Sequence, residues 1–476
     1  MSYGLYIGKN HCADGHAYLG GYGDEPSSHW LEVIEAAQYP EDASITVGVT
    51  PDADLPGLLT QIPQVSQTAR HIRTSYSCYK GVPAPLTNGG LNEHGVALRD
   101  IWSPSRQELI DMTPADQTGP NYSDLARIVM QRARSAREAV EIIGELIGRY
   151  GESSYGGNSH LVADANEAWV VIEAAGGAGL WAAERLGEDS IRASRPGYIE
   201  EIPVDDPAHP DYLYSTNLVS FALERGWYQA GSSFNFNQVY GDGKGRWQGV
   251  AWIEAQMAER ARSPRKITLE DMIWAVRTPR LTGDTAGYGQ VVPLRNPPHA
   301  ELRLLWHTQT GAIAAPFVPV FMGIESVPEE FRQHRYLTVG ESSRFMDMRH
   351  VDIGDGEASV VPQGIESTRS ACQVFKRLMY LLLQHQDDFL EEVTSLWQAH
   401  ERRLAEQCLQ VAEAASILLD QQQPQLARRY LDYFTNTELM RALELAETLA
   451  RGIEARTRLR YGISYEARHR STDQLW

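Results

Sequence analysis

The fold of this chain is decided by its first segment, Ser2-Tyr3-Gly4-Leu5-Tyr6-Ile7-Gly8-Lys9-Asn10. Apolar residues in this run predict a strand, and its polar end together with Asp14-Gly15 predicts a tight turn. A second strand is expected over His16 to Leu19. It runs into a glycine-rich stretch, Gly20 to Gly23, that leads to Asp24. The sequence therefore predicts a hairpin that ends at an acidic residue.

Ser2 directly follows Met1 and is the first candidate for chemistry. A small second residue allows an aminopeptidase to remove Met1, which would leave a serine with a free α-amine. An α-amine titrates near ~7.7–8.0, and an N-terminal amine can activate a hydroxyl nucleophile. Ser2 is therefore predicted to act as nucleophile and base at once. The alternative is that Met-Ser is a common start for any protein.

A series of motifs follows in order along the chain. They are Gly90 to Ala97, Leu161 to Val170, Leu180 to Arg185, Ser233 to Trp247, and Trp306 with Pro316 to Phe321. With Ser2 placed six residues before Gly8, they resemble the PepD-type dipeptidase and secernin family of N-terminal-nucleophile (Ntn) hydrolases. That family usually has cysteine at the first position. The chain is thus identified as a divergent member with serine as the nucleophile.

The resemblance implies an α+β fold with the four-layer αββα architecture of Ntn hydrolases, here over residues 1–340. Residues 341–476 are expected to form a mainly α-helical C-terminal extension, because Ser367 to Arg456 has helical spacing throughout, with a break at Gln421 to Pro424. A further helix is predicted over Tyr122 to Tyr150. The extension is interpreted as a bundle packed on the first domain or on another copy in a homo-oligomer. A binding solenoid is the alternative.

The family motifs imply three catalytic residues, Ser2, Asp24 and Asn92. In relatives the acidic residue at the place of Asp24 lies near the nucleophile and orients the site or receives the amino group of the substrate. Asp24 could instead be a turn residue after the glycines, and Asn92 could brace a hairpin. In that case Asp100 is the residue that faces the pocket.

Two departures from the family pattern bear on the site. Gly21 stands where relatives carry arginine, and Pro196 stands where they carry the asparagine of the oxyanion hole; proline cannot donate a hydrogen bond. Arg195 and Asn217 are the candidates that could replace these groups in substrate binding or oxyanion stabilisation.

Composition excludes several classes of function. The formal net charge of −19 opposes binding to nucleic acid or to an anionic membrane, both of which need a basic face. Apolar runs fall short of the ~20 residues that a membrane span requires, and no signal peptide is evident, so a soluble cytosolic protein is expected. The four cysteines are widely spaced and interpreted as reduced thiols.

No cofactor and no metal is expected. Gly20 to Gly23 lacks the lysine and hydroxyl residue of a phosphate loop. Cys12, Asp14 and His16 alternate like metal ligands, but alternate residues of a hairpin merely share a face.

The leading hypothesis is hydrolysis of a small peptide or amide. The alternatives are a biosynthetic acyltransferase or tailoring amidase, and a catalytically degenerate relative that acts as a binding protein.

Overall fold

The computed structural model describes residues 2–24, 28–77, 79–283, 285–332 and 369–462. In chain order the strands are β1 (Tyr3–Ile7), β2 (Ala17–Tyr22), β3 (His29–Ile34), β4 (Ala37–Gln38), β5 (Ser44–Val47), β6 (Thr60–Pro63), β7 (Gln67–Thr68), β8 (His71–Tyr76), β9 (Leu86–Asn92), β10 (Ala97–Trp102), β11 (Asn158–Ala163), β12 (Ala168–Glu173), β13 (Trp181–Leu186), β14 (Ile191–Ser194), β15 (Glu201–Ile202), β16 (Tyr212–Tyr214), β17 (Phe234–Asn235), β18 (Gly289–Leu294), β19 (Leu304–Thr308) and β20 (Val318–Phe321). The α-helices are α1 (Gln107–Asp111), α2 (Tyr122–Arg132), α3 (Ala136–Tyr150), α4 (Leu218–Glu224), α5 (Phe236–Val239), α6 (Gln248–Arg262), α7 (Leu269–Arg277), α8 (Glu329–Arg332), α9 (Ala371–Gln384), α10 (Gln386–Asp420) and α11 (Pro424–Tyr461).

Two large antiparallel sheets organise these elements. The first has six strands in the order β14-β1-β2-β18-β19-β20, and the second has eight in the order β16-β13-β12-β11-β10-β9-β8-β3. The sheets contact each other where β1 and β2 meet β10. Helices α2 and α3 contact the eight-stranded sheet, whereas α6 and α7 contact the six-stranded sheet. The fold is thus mixed α/β with antiparallel sheets, in agreement with the sequence prediction.

The predicted N-terminal hairpin is present, but its second strand is longer than expected. Strand β2 continues through the glycine-rich stretch as far as Tyr22, because Gly21 pairs with Gly4 on one side and with Gln290 on the other. A Cβ atom on Gly21 would collide with the carbonyl oxygen of Tyr3. The close approach of the two strands therefore requires glycine here and excludes the arginine that relatives carry.

The single helix predicted over Tyr122 to Tyr150 is wrong, because the segment forms two helices, α2 and α3. Ala133 and Ser135 are extended, and the Ser135 hydroxyl accepts a hydrogen bond from the backbone N–H of Glu138 at the start of α3. The Asp164 carboxylate accepts from the N–H of Ala136 in the same turn. These caps satisfy helix-terminal N–H groups that a continuous helix would have used internally.

The helices predicted for the C-terminal region are present as α9, α10 and α11, and the break predicted at Gln421 to Pro424 separates α10 from α11. Helices α10 and α11 contact β20, and α10 also contacts α7. The predicted domain boundary at residues 340 and 341 lies outside the described residues.

An ion pair buried between α7 and α10 joins the helices to the sheet domain. The guanidinium of Arg277 donates to Glu401 from Nη1 (2.9 Å) and Nη2, and to the carbonyl oxygens of Ala312 and Ala315 (3.0 Å each). Glu401 also accepts from the N–H of Phe317 (2.7 Å). Every polar group of this pair is thus engaged, as a buried ion pair requires.

Candidate functional site

Three of the predicted site residues meet at one end of the N-terminal hairpin. Ser2 immediately precedes β1, and because Tyr3 pairs with Tyr22, Asp24 lies just beyond the same end of β2. Arg195 follows β14, which pairs alongside β1 with Ser194 opposite Gly4. All three side chains are buried, with 5% exposure for Ser2 and 7% for both Asp24 and Arg195. The antiparallel register of β1 with β2 and β14 therefore brings the three residues to the same end of the sheet.

Arg195 connects the hairpin end to Asp24. Its Nη1 donates to the hydroxyl of Tyr22 (2.6 Å), and its Nη2 lies 3.7 Å from a carboxylate oxygen of Asp24. The phenol of Tyr22 is itself fixed, because it donates to the carbonyl oxygen of Leu281 (2.5 Å). A cation and a carboxylate are thus held side by side at the end of the hairpin where Ser2 immediately precedes β1.

Asn88 is a site residue that sequence reasoning missed. Its side-chain amide nitrogen lies 3.5 Å from Oγ of Ser2 and donates to Oδ2 of Asp100 at 3.0 Å. The two amide hydrogens can therefore serve Ser2 and Asp100 at the same time. The signal was available in the sequence, because Asn88 stands with two glycines inside a strand, and asparagine and glycine are disfavoured there without a particular role.

Behind Asn88 a row of buried polar residues crosses the eight-stranded sheet. Asp100 lies 3.9 Å from Nε2 of His160, and Nδ1 of His160 lies 2.8 Å from the carboxylate of Glu173. Burial lowers the pKa of His160, but the charge and hydrogen bond of Glu173, followed by the charge of Asp100, outweigh it and raise the pKa above its usual range. Nε2 also faces the carbonyl oxygen of Tyr122 (3.1 Å), so both ring nitrogens face acceptors, which suits the imidazolium.

A third buried carboxyl group, Glu152, interacts electrostatically with Glu173. Neither of its carboxyl oxygens has a hydrogen-bond partner within the described ranges. Burial, followed by the charge of Glu173, raises the pKa of Glu152 well above its usual range. Asp100 is therefore connected to Ser2 through Asn88, and His160 and Glu173 continue the row of buried polar residues beyond Asp100.

Asn92 does not reach this site. Its Oδ1 accepts from the N–H groups of His94 and Val96 (3.0 Å each), and its Nδ2 donates to the carbonyl oxygens of Ala133 (2.7 Å) and Met130 (3.3 Å). The side chain thus braces the turn between β9 and β10 and closes the end of α2. Asn92 also lies four residues beyond the site asparagine of β9, which at ~3.3 Å per residue places it about 13 Å along the strand. These contacts favour the bracing alternative over a catalytic role.

Asn217 is also engaged elsewhere. Its Nδ2 donates to the carbonyl oxygen of Ala178 (2.9 Å), and its own carbonyl oxygen accepts from the N–H of Phe221 at the start of α4. No hydrogen bond in the described part of the chain connects Asn217 to Ser2 or Arg195. Of the two candidates to replace the missing polar groups, the structure brings only Arg195 to the hairpin end.

The site lies partly within a segment that matches a known family. Residues 74–248 match the model of peptidase family C69, and this segment includes Asn88, Asp100, His160 and Arg195. The protein therefore has a mixed α/β fold, and the segment that contains these four residues is similar to peptidase family C69.

Two curated proteins are similar to part of this chain. The chain is 26% identical over 154 residues to a probable dipeptidase of Latilactobacillus sakei, and 32% identical over 131 residues to probable dipeptidase B of Lactococcus lactis subsp. lactis (strain IL1403). The matches cover 32% and 27% of this chain. They span only 31% and 26% of the relatives' own lengths.

Two solved structures of conjugated bile acid hydrolase from Clostridium perfringens, both of variant proteins, are similar to this chain. One has a TM-score of 0.31 and covers 68% of this chain and 92% of that chain, and the other has a TM-score of 0.30 and covers 67% and 92%. Sequence identity is 11% in both cases. At these TM-scores the likeness supports no structural or functional argument.

Two further features concern the residues that the structure describes. No helix in these ranges combines the length and the apolar composition needed to cross a membrane. In the same ranges, no three or more His, Cys, Asp or Glu side chains form a group that could hold a metal ion.

Proposed function

We propose that this protein hydrolyses the amide bond of a small substrate such as a dipeptide, with Ser2 as the nucleophile after removal of Met1. The observation that carries the proposal is the buried group formed by Ser2, Asp24 and Arg195, with the amide of Asn88 against Oγ of Ser2. The family C69 match and the two probable dipeptidases support the class of reaction.

We further infer the four-layer αββα arrangement of Ntn hydrolases. Helices α2 and α3 would form one outer layer, the eight-stranded and six-stranded sheets the two inner layers, and α6 and α7 the other outer layer; the contacts of each helix pair with its own sheet support this order. In this arrangement residues 1–340 form the catalytic domain, and residues 341–476 are the helical extension.

The reaction follows from the groups at the hairpin end. The α-amine of Ser2 takes the hydroxyl proton as Oγ attacks the substrate carbonyl carbon, and it returns that proton to the leaving amine as the C–N bond breaks. The resulting ester on Ser2 is then attacked by water, which loses a proton to the same amine, and Oγ leaves with a proton. The amide of Asn88 and the guanidinium of Arg195 are the donors that stabilise the negative oxygen of each intermediate in this proposal.

Asp24 has a separate role in this proposal, because it binds the ammonium group of a free dipeptide. A charge-assisted hydrogen bond is about twice as strong as a neutral one. Asp24→Asn should therefore raise the KM for a substrate with a free amino terminus much more than for its N-acetylated form. Equal losses on both substrates would instead assign Asp24 to the positioning of Ser2 and Arg195.

The decisive experiment combines intact mass with substitution of the nucleophile. The purified protein should lack one methionine, Ser2→Ala should abolish dipeptide hydrolysis without changing the thermal midpoint, and Ser2→Cys should retain or raise activity, because thiols are the better nucleophiles. Acetylation of the α-amine should be as damaging as loss of the hydroxyl. An active Ser2→Ala protein would refute the mechanism.

A second candidate function is a binding protein derived from an amidohydrolase. The observation that favours it is the loss of two polar positions of the family, at Gly21 and Pro196. In that case the protein should bind small peptides, and neither the wild type nor Ser2→Cys should release an amine from them. An acyltransferase would differ from the hydrolase only in the acceptor, and would release the acyl group faster when an added amine replaces water.

A further inference from the structure

Arg99, in the middle of β10, carries a buried guanidinium that has no ionic partner among the described residues. The residue has 0% exposure, and Nε, Nη1 and Nη2 all lack a hydrogen-bond partner in the part of the chain that the structure describes. The guanidinium carbon lies 4.8 Å from the centre of the ring of Tyr288. Arginine keeps its proton at any pH that a protein meets, so burial cannot be relieved by neutralisation. An anion is the natural partner of such a group.

Arg99 lies on the strand next to the one that contacts the proposed nucleophile. Arg99 pairs with Gly89, the residue next to Asn88, and the amide of Asn88 lies 3.5 Å from Oγ of Ser2. On the facing sheet, the carbonyl oxygen of Tyr288 accepts from the N–H of Gly23, which follows directly on the strand that pairs with β1. The guanidinium of Arg99 therefore lies against a residue whose backbone bonds to Gly23, the neighbour of Asp24.

The two nearest carboxylates of the site have other partners. The side chain of Asp100 accepts from Asn88 and faces His160, and successive side chains of a strand point to opposite faces. Asp24 lies 3.7 Å from Arg195. Neither is an ion-pair partner of Arg99 within the described residues.

We propose that Arg99 binds a carboxylate of the substrate. A free dipeptide is a zwitterion, and its terminal carboxylate lies about one residue, ~3.8 Å between Cα atoms, from the bond to be cleaved. With Asp24 as the site for the ammonium group, Arg99 supplies a separate group that takes the negative end. This inference rests on the proposed function and defines its substrate class as short peptides with a free terminal carboxylate.

The test measures binding rather than turnover. The Ser2→Ala protein is titrated calorimetrically with L-alanyl-L-alanine and with its C-terminal amide. We expect roughly 10- to 100-fold tighter binding of the free carboxylate, as the loss of a charged hydrogen-bond pair predicts. Arg99→Met in the same background should reduce this ratio to about one, and Arg99→Lys should retain part of it, since it keeps the charge but loses the planar fork. Arg137→Met, at an exposed position on α3, is the matched control and should keep the full ratio.

The outcomes separate this inference from the proposed function. A full preference for the carboxylate in the Arg99→Met protein, no preference in the parent, or no binding of the dipeptide at millimolar concentration would each overturn it. Loss of the preference in Arg99→Met, together with no turnover by the protein that retains Ser2, would support the carboxylate site and refute the hydrolase. Turnover without a carboxylate preference would support the hydrolase and refute the carboxylate site.

Discussion

Two buried arginines of this molecule have opposite surroundings. Arg277, at the end of α7, donates to Glu401 and to two carbonyl oxygens, so its guanidinium is fully engaged by the protein itself. Arg99 is buried as completely, yet none of its nitrogens has a hydrogen-bond partner among the described residues. Arg277 therefore connects α7 to α10, whereas the guanidinium of Arg99 is the group that we propose binds an anion. Satisfaction of buried polar groups thus separates structural braces from candidate binding groups in this fold.

The largest effect is expected at the brace. Arg277→Met would leave the carboxylate of Glu401 buried without its cation, which typically costs about 3–5 kcal/mol in the free energy of unfolding. Urea denaturation measures this loss. Arg280→Met, at an exposed position three residues on, is the control and should change stability by less than about 0.5 kcal/mol. A mild effect of Arg277→Met would mean that the ion pair does not join α7 to α10.

The opposite sign is expected at Arg99. Arg99→Met removes a buried charge and replaces it with a flexible apolar side chain of similar length, so the free energy of unfolding should stay the same or rise by roughly 1–3 kcal/mol in the absence of ligand. The same denaturation series provides the comparison. A large loss of stability would show that the protein itself satisfies Arg99, and the contrast with Arg277 would then fail.

Two asparagines of β9, Asn92 and Asn88, also differ in role, because the first braces a turn and the second lies against Ser2. Asn92→Ala removes four hydrogen bonds of the turn and of α2, so stability should fall by about 1–3 kcal/mol while kcat of the folded protein is kept. Asn88→Ala should instead lower kcat roughly 100-fold with little change in KM, since a donor near the reacting oxygen is lost. Steady-state kinetics on a dipeptide and urea denaturation of both variants decide the matter. Equal kinetic losses would place both residues in the same role.

The smallest effect is expected at Glu152, and it depends on pH. Because the folded protein holds its pKa above the unfolded value, Glu152 lowers stability progressively as the pH rises above about 4.5. Glu152→Gln removes this dependence, so its advantage over wild type should be near zero at pH 4.5 and should grow as the pH rises, because the neutral amide has no charge to desolvate. Thermal midpoints measured at pH 4.5 and 7.5 compare the two proteins. A constant difference across this range would contradict the assigned titration.

Much of the secondary structure could be predicted from the sequence, because it depends on local patterns. The turn signals after Ile7 give the N-terminal hairpin, and Gln421 to Pro424 give the break between two long helices. The single helix over Tyr122 to Tyr150 was wrong because both of its halves share one apolar face. The break depends instead on the Ser135 and Asp164 caps, and Asp164 is distant in sequence.

The candidate site was predicted only in part, and the reason is physical. Ser2 and Asp24 could be named because they lie at motif positions, and Arg195 because it is next to Pro196, which replaces the family asparagine. Strand register then brings the three residues to one end of the hairpin. Asn88 and Arg99 were missed because their importance depends on contacts between strands and between sheets. No periodicity in the sequence indicates that a buried arginine lacks a partner. Asn92 lies at a motif position, but it is four residues along β9 from Asn88, which is too far to contact Ser2.

The close approach at Gly21 also limits how this protein could change. An arginine at this position would need β1 and β2 to separate, and β1 carries the proposed nucleophile at its start. A single substitution therefore cannot restore the family's side chain without disturbing the residue that it would serve. In a directed-evolution experiment for higher dipeptidase activity, gains should arise on the facing strand β10 and around Arg195, and position 21 should stay glycine.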